Sequence, residues 1–271
     1  MRTLMDTRPN VIIAAGGLGS RVAGWSRYFP KEFRPVNGRP GLTHVLDEAA
    51  TARAGRVVVV HHPYYNPLIE WARHVLAPGA QSHYNDLVRE PNERPALPAV
   101  EFVAQHGPYA DITSVLNGAE HLGTDSDLLL AFADNVDTTH EALSELASTT
   151  SGEPAVLAAP FSRSAASSHG VIICDSAGHM VTLVEKPGPE AVIALLHDHG
   201  RDSLRLLLGR ARLTGDLVRF LATTPADPET EPKLSLALAS YARNRPIKVI
   251  TTTNTMIDLG TPDPTCRSRH Q

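Results

Sequence analysis

Short apolar runs recur along the chain, and most are followed by a stretch in which apolar residues return every three to four positions. The runs predict strands over 10–15, 56–61, 100–105, 128–133, 155–160, 169–174, 180–184 and 247–252. The stretches between them predict helices over 42–54, 66–76, 112–122, 140–147, 190–197, 216–221 and 234–243. Val57-Val58-Val59-Val60 has no polar face, as a sheet covered on both sides requires. Alternation of strand and helix through the first half predicts an α/β fold with a doubly wound, mainly parallel sheet.

The second half departs from that alternation. Two apolar runs flank the turn-forming tetrad Asp175-Ser176-Ala177-Gly178, which predicts an antiparallel pair. Residues 77–99 are rich in proline, Asn and Asp and read as a surface excursion, because strands continue after them. One domain over 1–271 is expected, with a first half to about 160, a second to about 264 and a frayed polar tail at 265–271.

Composition narrows the function by exclusion. A net charge of −4 gives the chain no general attraction to nucleic acid or anionic membrane, so any phosphate chemistry must come from locally placed basic residues. No apolar run approaches a membrane span, and the first ten residues lack the apolar core of a signal peptide, so a cytoplasmic setting is expected. Cys174 and Cys266 match neither a zinc spacing nor a disulfide framework. His61-His62 and His197/His199 read as solvated or strand-end residues rather than chelators.

Directly behind the first predicted strand stands Ala15-Gly16-Gly17-Leu18-Gly19-Ser20-Arg21, and Pro30-Lys31-Glu32-Phe33-Arg34-Pro35 follows. A glycine turn at the carboxyl end of a first strand is where open α/β sheets bind ligands, because glycine lets backbone N–H groups approach an anion. The dinucleotide fingerprint is excluded, since Val22 falls on its third glycine, and the P-loop is excluded, since Ser20-Arg21 replaces Lys-Ser/Thr. A plain structural turn stays open on the loop alone.

Further landmarks follow in order: Asp134 at the end of Leu-Leu-Leu-Ala-Phe-Ala, Gly170-Val171 leading to Glu185-Lys186-Pro187, Gly209-Arg210, and Asp258 before Leu-Gly-Thr-Pro. Taken together with the loop, this pattern resembles the sugar-1-phosphate nucleotidyltransferases, or nucleotide-sugar pyrophosphorylases, most closely the branch acting on glucose 1-phosphate with UTP or dTTP. The landmarks run from Val11 to Pro262. The resemblance implies attack of a sugar 1-phosphate oxygen on the α-phosphorus of a nucleoside triphosphate, with loss of pyrophosphate. Positioning and charge neutralisation dominate such chemistry.

By that resemblance, Ala15, Gly16, Gly17, Gly19 and Ser20 wrap the triphosphate, and Arg21 and Lys31 act on it. Asp134 and Asp258 hold Mg²⁺, which needs only one or two carboxylates beside phosphate oxygens. Gly170, Glu185, Lys186 and Arg210 serve the sugar phosphate. Gln105 falls where the family reads the base; Ala110 or Asp111 replaces the accompanying glycine, and an acidic Asp111 could accept from guanine. The base stays open, with a pyrimidine preferred.

Other departures are Arg34, Ala211 and Arg212, while Glu231 is a loose match to a family glutamate. They point to an acceptor other than plain glucose 1-phosphate, such as a modified sugar or cyclitol phosphate. The rival readings are a non-catalytic nucleotide-sugar-binding regulator and a cytidylyltransferase for another phosphate. The expected partners are a nucleoside triphosphate and the phosphorylated acceptor, without nucleic acid or membrane; a homo-oligomer is compatible with the sequence.

Overall fold

A computed structural model describes residues 8–76, 99–150, 152–224 and 233–262. Nearly all of the 77–99 excursion, the tail, Glu231 and Cys266 lie outside the described residues. The strands are β1 (Asn10–Ala15), β2 (Pro35–Val36), β3 (Arg39–Pro40), β4 (Arg56–His61), β5 (Ala99–Ala104), β6 (Leu128–Phe132), β7 (Asn135–Asp137), β8 (Ala155–Pro160), β9 (Gly170–Cys174), β10 (Met180–Glu185), β11 (Leu204–Leu213), β12 (Lys248–Thr251) and β13 (Met256–Asp258). The helices are α1 (Ala23–Ser26), α2 (Gly41–Thr51), α3 (Asn66–Leu76), α4 (Asp111–Leu122), α5 (Ala142–Ala147), α6 (Pro189–His199), α7 (Gly215–Ala222) and α8 (Leu234–Ala242).

One nine-stranded sheet organises the chain, in the order β10-β9-β11-β6-β1-β4-β5, with β8 paired to β11 and β12. Strands β6, β1, β4 and β5 are mutually parallel, with Ile12 opposite Leu130 and Val58. Their carboxyl ends therefore open on one edge, where the glycine loop leaves β1, Gln105 follows β5 and Asp134 follows β6. The expected β9–β10 hairpin is antiparallel and pairs Gly170 with Glu185.

Alternate residues of the parallel strands feed two cores. Val11, Ile13, Val57 and Val59 pack with α2 and α5 on one face. Ile12, Val58, Val60 and Leu130 pack with α4, α7 and α8 on the other. Both faces are covered, which is why these strands carry no polar alternation. A third cluster joins α6 to β9 and β11 through Val192, Leu195, Val171 and Leu204.

The apolar pattern predicts no strand between 184 and 247, yet β11 spans Leu204–Leu213 and joins β9, β8 and β6, antiparallel to each. Gly209, Arg210 and Arg212 hide it by interrupting the apolar run. Both arginines are nevertheless buried, with 1% and 4% of their surface exposed. The short β7–β13 ladder also escapes the pattern, because three-residue strands carry no periodicity; it places Asp258 opposite Asn135.

Candidate active site

The edge after β1 is shaped by what the glycines admit. Gly16 is buried, and an added Cβ would overlap Gln105 Oε1 and stand 2.5 Å from Ser114 Oγ. Ser114 Oγ donates to Gln105 Oε1 at 2.6 Å, which fixes the amide on α4 beside the loop. At Gly17 an added Cβ would stand 2.9 Å from Lys31 Nζ. Gly19 adopts φ 66°, the left-handed region that favours glycine, and turns the chain into a single 3₁₀ turn at Ser20–Val22. Ser26 Oγ donates to the Gly19 carbonyl at 2.8 Å and holds that turn against α1.

Asp134 and Asp258 meet although they are distant in sequence. The β7–β13 ladder continues past its last pair, and Leu259 N donates to the Asp134 carbonyl at 2.7 Å. The Asp258 turn is pinned twice. Gly260 N donates to Asp258 Oδ1 at 2.7 Å. Arg34 Nη1 donates to the carbonyls of Leu259 at 2.6 Å and Thr261 at 2.5 Å. Arg21 reaches the same turn, its Nη1 3.9 Å from Asp258 Oδ2 and its side chain 54% exposed.

Lys31 Nζ donates to Asp134 Oδ2 and lies 3.9 Å from Glu32 Oε1. Burial pulls the Lys31 ammonium down, but Asp134, Glu32 and Asp258 together outweigh it and hold its pKa above the ordinary range. Burial pushes the Glu32 carboxyl up to about 8, against the pull of Lys31. Glu32 Oε2 has no hydrogen-bond partner, and Glu32 was not anticipated from the sequence; a lone Glu in a proline-flanked loop carries no burial signal.

On the other side of Asp134, Glu185 Oε1 lies 3.7 Å from Lys186 Nζ. Lys186 has φ 45°, unusual for a residue with a Cβ, and its N–H donates to the His169 carbonyl at 3.2 Å. The backbone thus turns sharply where the hairpin meets the cleft. Strain of this kind gathers at functional sites.

Two cavities meet at this seam. The larger, about 220 Å³, has a polar wall that includes Arg21, Asp134, Asp258, His169, Glu185 and Lys186, over an apolar floor that includes Leu130 and Val156. The smaller, about 40 Å³, has Gly16, Gly17, Lys31, Tyr109 and Ser114 in its wall. Asp111, Phe132 and Asp134 border both. Ala15 ends β1 just behind the loop and is buried. Ser114, His169 and Tyr109 were not anticipated: each is placed by a turn or helix end rather than by a motif.

Arg210, expected at the sugar phosphate, borders the larger cavity, but all five of its N–H groups are engaged by the protein. Nε and Nη2 make a bidentate pair with Glu48 at 2.8 and 2.7 Å. Nη1 donates to the Phe132 and Gly209 carbonyls, and Nη2 also donates to the Asn135 carbonyl at 2.7 Å. The guanidinium clasps the backbone on both sides of Asp134 and has no donor left for a ligand.

Two departures read as substrate clues are also structural. Arg34 clamps the Asp258 turn, and Arg212 donates to the carbonyls of Thr150 and Leu146 behind α5. Neither speaks to the acceptor. Asp111 begins α4, and its Oδ1 accepts from Leu234 N at 2.8 Å, which ties α8 to the rim.

The family described as MobA-like NTP transferase domain matches residues 11–217. The bifunctional enzyme IspD/IspF of Chelativorans sp. (strain BNC1) is 31% identical over 135 residues, covering 46% of this chain and 33% of that protein. The bifunctional protein GlmU of Dechloromonas aromatica (strain RCB) is 25% identical over 182 residues, covering 67% of this chain and 34% of that protein. The matched part thus spans about a third of each of these relatives. Among solved structures, a UDP-glucose pyrophosphorylase complexed with UDP-glucose superposes with TM-score 0.75 at 20% identity, covering 93% of this chain and 94% of that one. An inositol-1-phosphate CTP transferase from T. maritima gives TM-score 0.68 at 14% identity, covering 96% and 94%. These likenesses show the fold.

Proposed function

The chain belongs to the MobA-like NTP transferase family, and from that premise we propose that it joins a nucleotide to a sugar 1-phosphate, with UTP or dTTP as the donor. The acceptor's phosphate oxygen bonds to the α-phosphorus as the bond to the bridging oxygen breaks, and pyrophosphate leaves with that electron pair. No base is needed, because the attacking oxygen is already an anion near neutral pH.

The observation that carries this reading is the meeting of two cavities at Asp134, with Lys31 on one side and Lys186 on the other. Two polyanions must approach each other there, and cations line both approaches. In the smaller cavity the glycine backbone takes the triphosphate, and Arg21, on the wall of the larger cavity, meets its oxygens across the seam with a fork of donors. Gln105 faces the base. Lys31, held charged, follows the negative charge that builds on the leaving group. In the larger cavity Lys186 takes the acceptor phosphate, and Gly170 and Glu185 face the sugar.

The donor set fits Mg²⁺. Two adjacent carboxylates, Asp134 and Asp258, suit a hard cation that completes its shell with phosphate and water, and among the described residues no larger metal-ligating cluster competes. Bound there, Mg²⁺ would neutralise phosphate charge. The Lys31–Asp134 pair occupies one of those oxygens, so Lys31 is freed toward the phosphates when Asp134 takes another partner.

A second reading keeps the reaction and changes both substrates. Asp111 stands on the rim of both cavities where the family's glycine is expected, and its carboxylate would favour a base with N–H donors, such as guanine. The acceptor would then be a modified sugar or cyclitol phosphate. A non-catalytic nucleotide-sugar binder would not need both carboxylates and both lysines.

Pyrophosphate release from UTP, dTTP, CTP, GTP and ATP, crossed with glucose 1-phosphate and inositol 1-phosphate, tests these readings. Release with UTP or dTTP and glucose 1-phosphate supports the first. Release with GTP and inositol 1-phosphate alone supports the second, and silence for every pair while UTP binds points first to another acceptor and only then to the binder. Among the described residues no helix is long and apolar enough to cross a membrane, and a cytoplasmic setting would supply both substrates.

A further inference from the structure

Tyr109 lies on the turn between β5 and α4, and its hydroxyl accepts a hydrogen bond from the Leu18 amide at 3.1 Å. Leu18 is the variable residue of Gly16-Gly17-Leu18-Gly19, so this amide belongs to the row that an anion laid in the loop would claim. The cavity beside it, partly walled by Tyr109, Gly17 and Lys31, holds only about 40 Å³. Small-molecule sites run to roughly 300–1,000 Å³. A nucleoside triphosphate is larger than this cavity and needs the adjoining one or a shift of its wall.

Tyr109 is built to be that moving part. The residue is 47% exposed, and its ring meets His62 edge-on with centroids 6.0 Å apart. Two residues before it, Gly107 has φ 98°, and an added Cβ there would touch only Thr113. The turn therefore has a glycine pivot with open space around it. The same turn carries Gln105 before Tyr109 and Asp111 after it.

Resting on the nucleotide reading of this site, we propose that Tyr109 is a nucleotide-contact residue whose hydroxyl closes the glycine loop in the ligand-free chain. The phenol oxygen stands in for a phosphate oxygen on the Leu18 amide. An incoming triphosphate is the stronger acceptor, because hydrogen bonds to an ionised oxygen exceed neutral ones, and it displaces the hydroxyl. The freed ring then packs on the nucleoside.

Titration calorimetry in Mg²⁺ buffer separates the hydroxyl from the ring, with inorganic tripolyphosphate and then UTP, dTTP, CTP and GTP as probes. Tyr109→Phe removes the competing oxygen, and it is expected to bind tripolyphosphate about 2- to 10-fold more tightly than wild type. Tyr109→Ala is expected to match Tyr109→Phe on tripolyphosphate and to bind the nucleotide about tenfold more weakly than Tyr109→Phe, from the lost ring contact. Should the alanine variant misfold, Tyr109→Phe decides alone. Equal affinities of wild type and Tyr109→Phe for tripolyphosphate would overturn the role of Tyr109 and leave the loop's role standing. Failure of the wild-type chain to bind any of these probes would overturn both.

Discussion

Lys31 and Asp134 are hydrogen-bonded across the seam between the two cavities, and this pair joins the loop behind β1 to the end of β6. On the proposed reading a cation held there would meet the phosphate of either substrate, so its removal should reach the chemical step. Lys31→Ala and Lys186→Ala are each expected to lower kcat by roughly 10²–10³, the usual cost of one preorganised positive donor. Stopped-assay pyrophosphate release checks this, and near-wild-type turnover in either variant sinks the role given to that lysine.

Glu32 makes stability depend on pH in an unusual direction. Its carboxyl titrates near 8 in the fold, against an ordinary value of 4.5. Between those pH values the unfolded chain has released the proton and the folded chain retains it, so stability falls as pH rises through the window. Glu32→Gln removes this dependence. Its Tm is expected to gain on wild type by roughly several degrees between pH 5 and pH 9. A Tm difference that stays constant across that range would contradict the assignment.

Arg210 and Glu48 form a fully buried pair, with no exposed surface on either side chain. Breaking such a pair from one side costs about 3–5 kcal/mol, because the other charge is left without a partner. Arg210→Met should therefore lower Tm by roughly 10 °C, and adding Glu48→Gln should recover part of the loss. If Arg210 instead bound the acceptor, the single variant would keep its Tm and raise the acceptor KM.

Two glycines near the loop should answer differently to one methyl group. Gly16→Ala drives a Cβ into Gln105 and Ser114, whereas an added Cβ at Gly24 meets nothing within 4 Å. Gly16→Ala is expected to weaken nucleotide binding about tenfold or more. Gly24→Ala lies within α1 and should leave binding unchanged, with stability equal or higher by up to about 1 kcal/mol. Nucleotide titration of the two variants side by side tests the pair.

Sheet class and many residues of the candidate site were legible because they depend on local signals. The valine run of β4 and the apolar run of β6 announced buried strands, and the turn after Cys174 announced its hairpin. The glycine loop, Lys31, Asp134, Asp258, Glu185 and Lys186 stood as motifs, and the fold brings them to one cleft. What sequence could not reveal was long-range pairing. Arg210 and Arg212 look like surface or ligand residues until Glu48 and the carbonyls behind α5 are found to satisfy them. Arg34 looks like a pocket substitution until the carbonyls of Leu259 and Thr261 appear as its partners. Burial of a charge is decided by where its partner comes from, and here Glu48 is far from Arg210 in the chain.

Transfer of the α-phosphorus is tested most directly with UTP or dTTP labelled at that position, incubated with glucose 1-phosphate and Mg²⁺, and the products separated. The label is expected in the sugar nucleotide with unlabelled pyrophosphate released, and both signals should vanish in Asp134→Ala. Label recovered only as nucleoside monophosphate, or turnover that survives Asp134→Ala, would contradict nucleotidyl transfer at this seam.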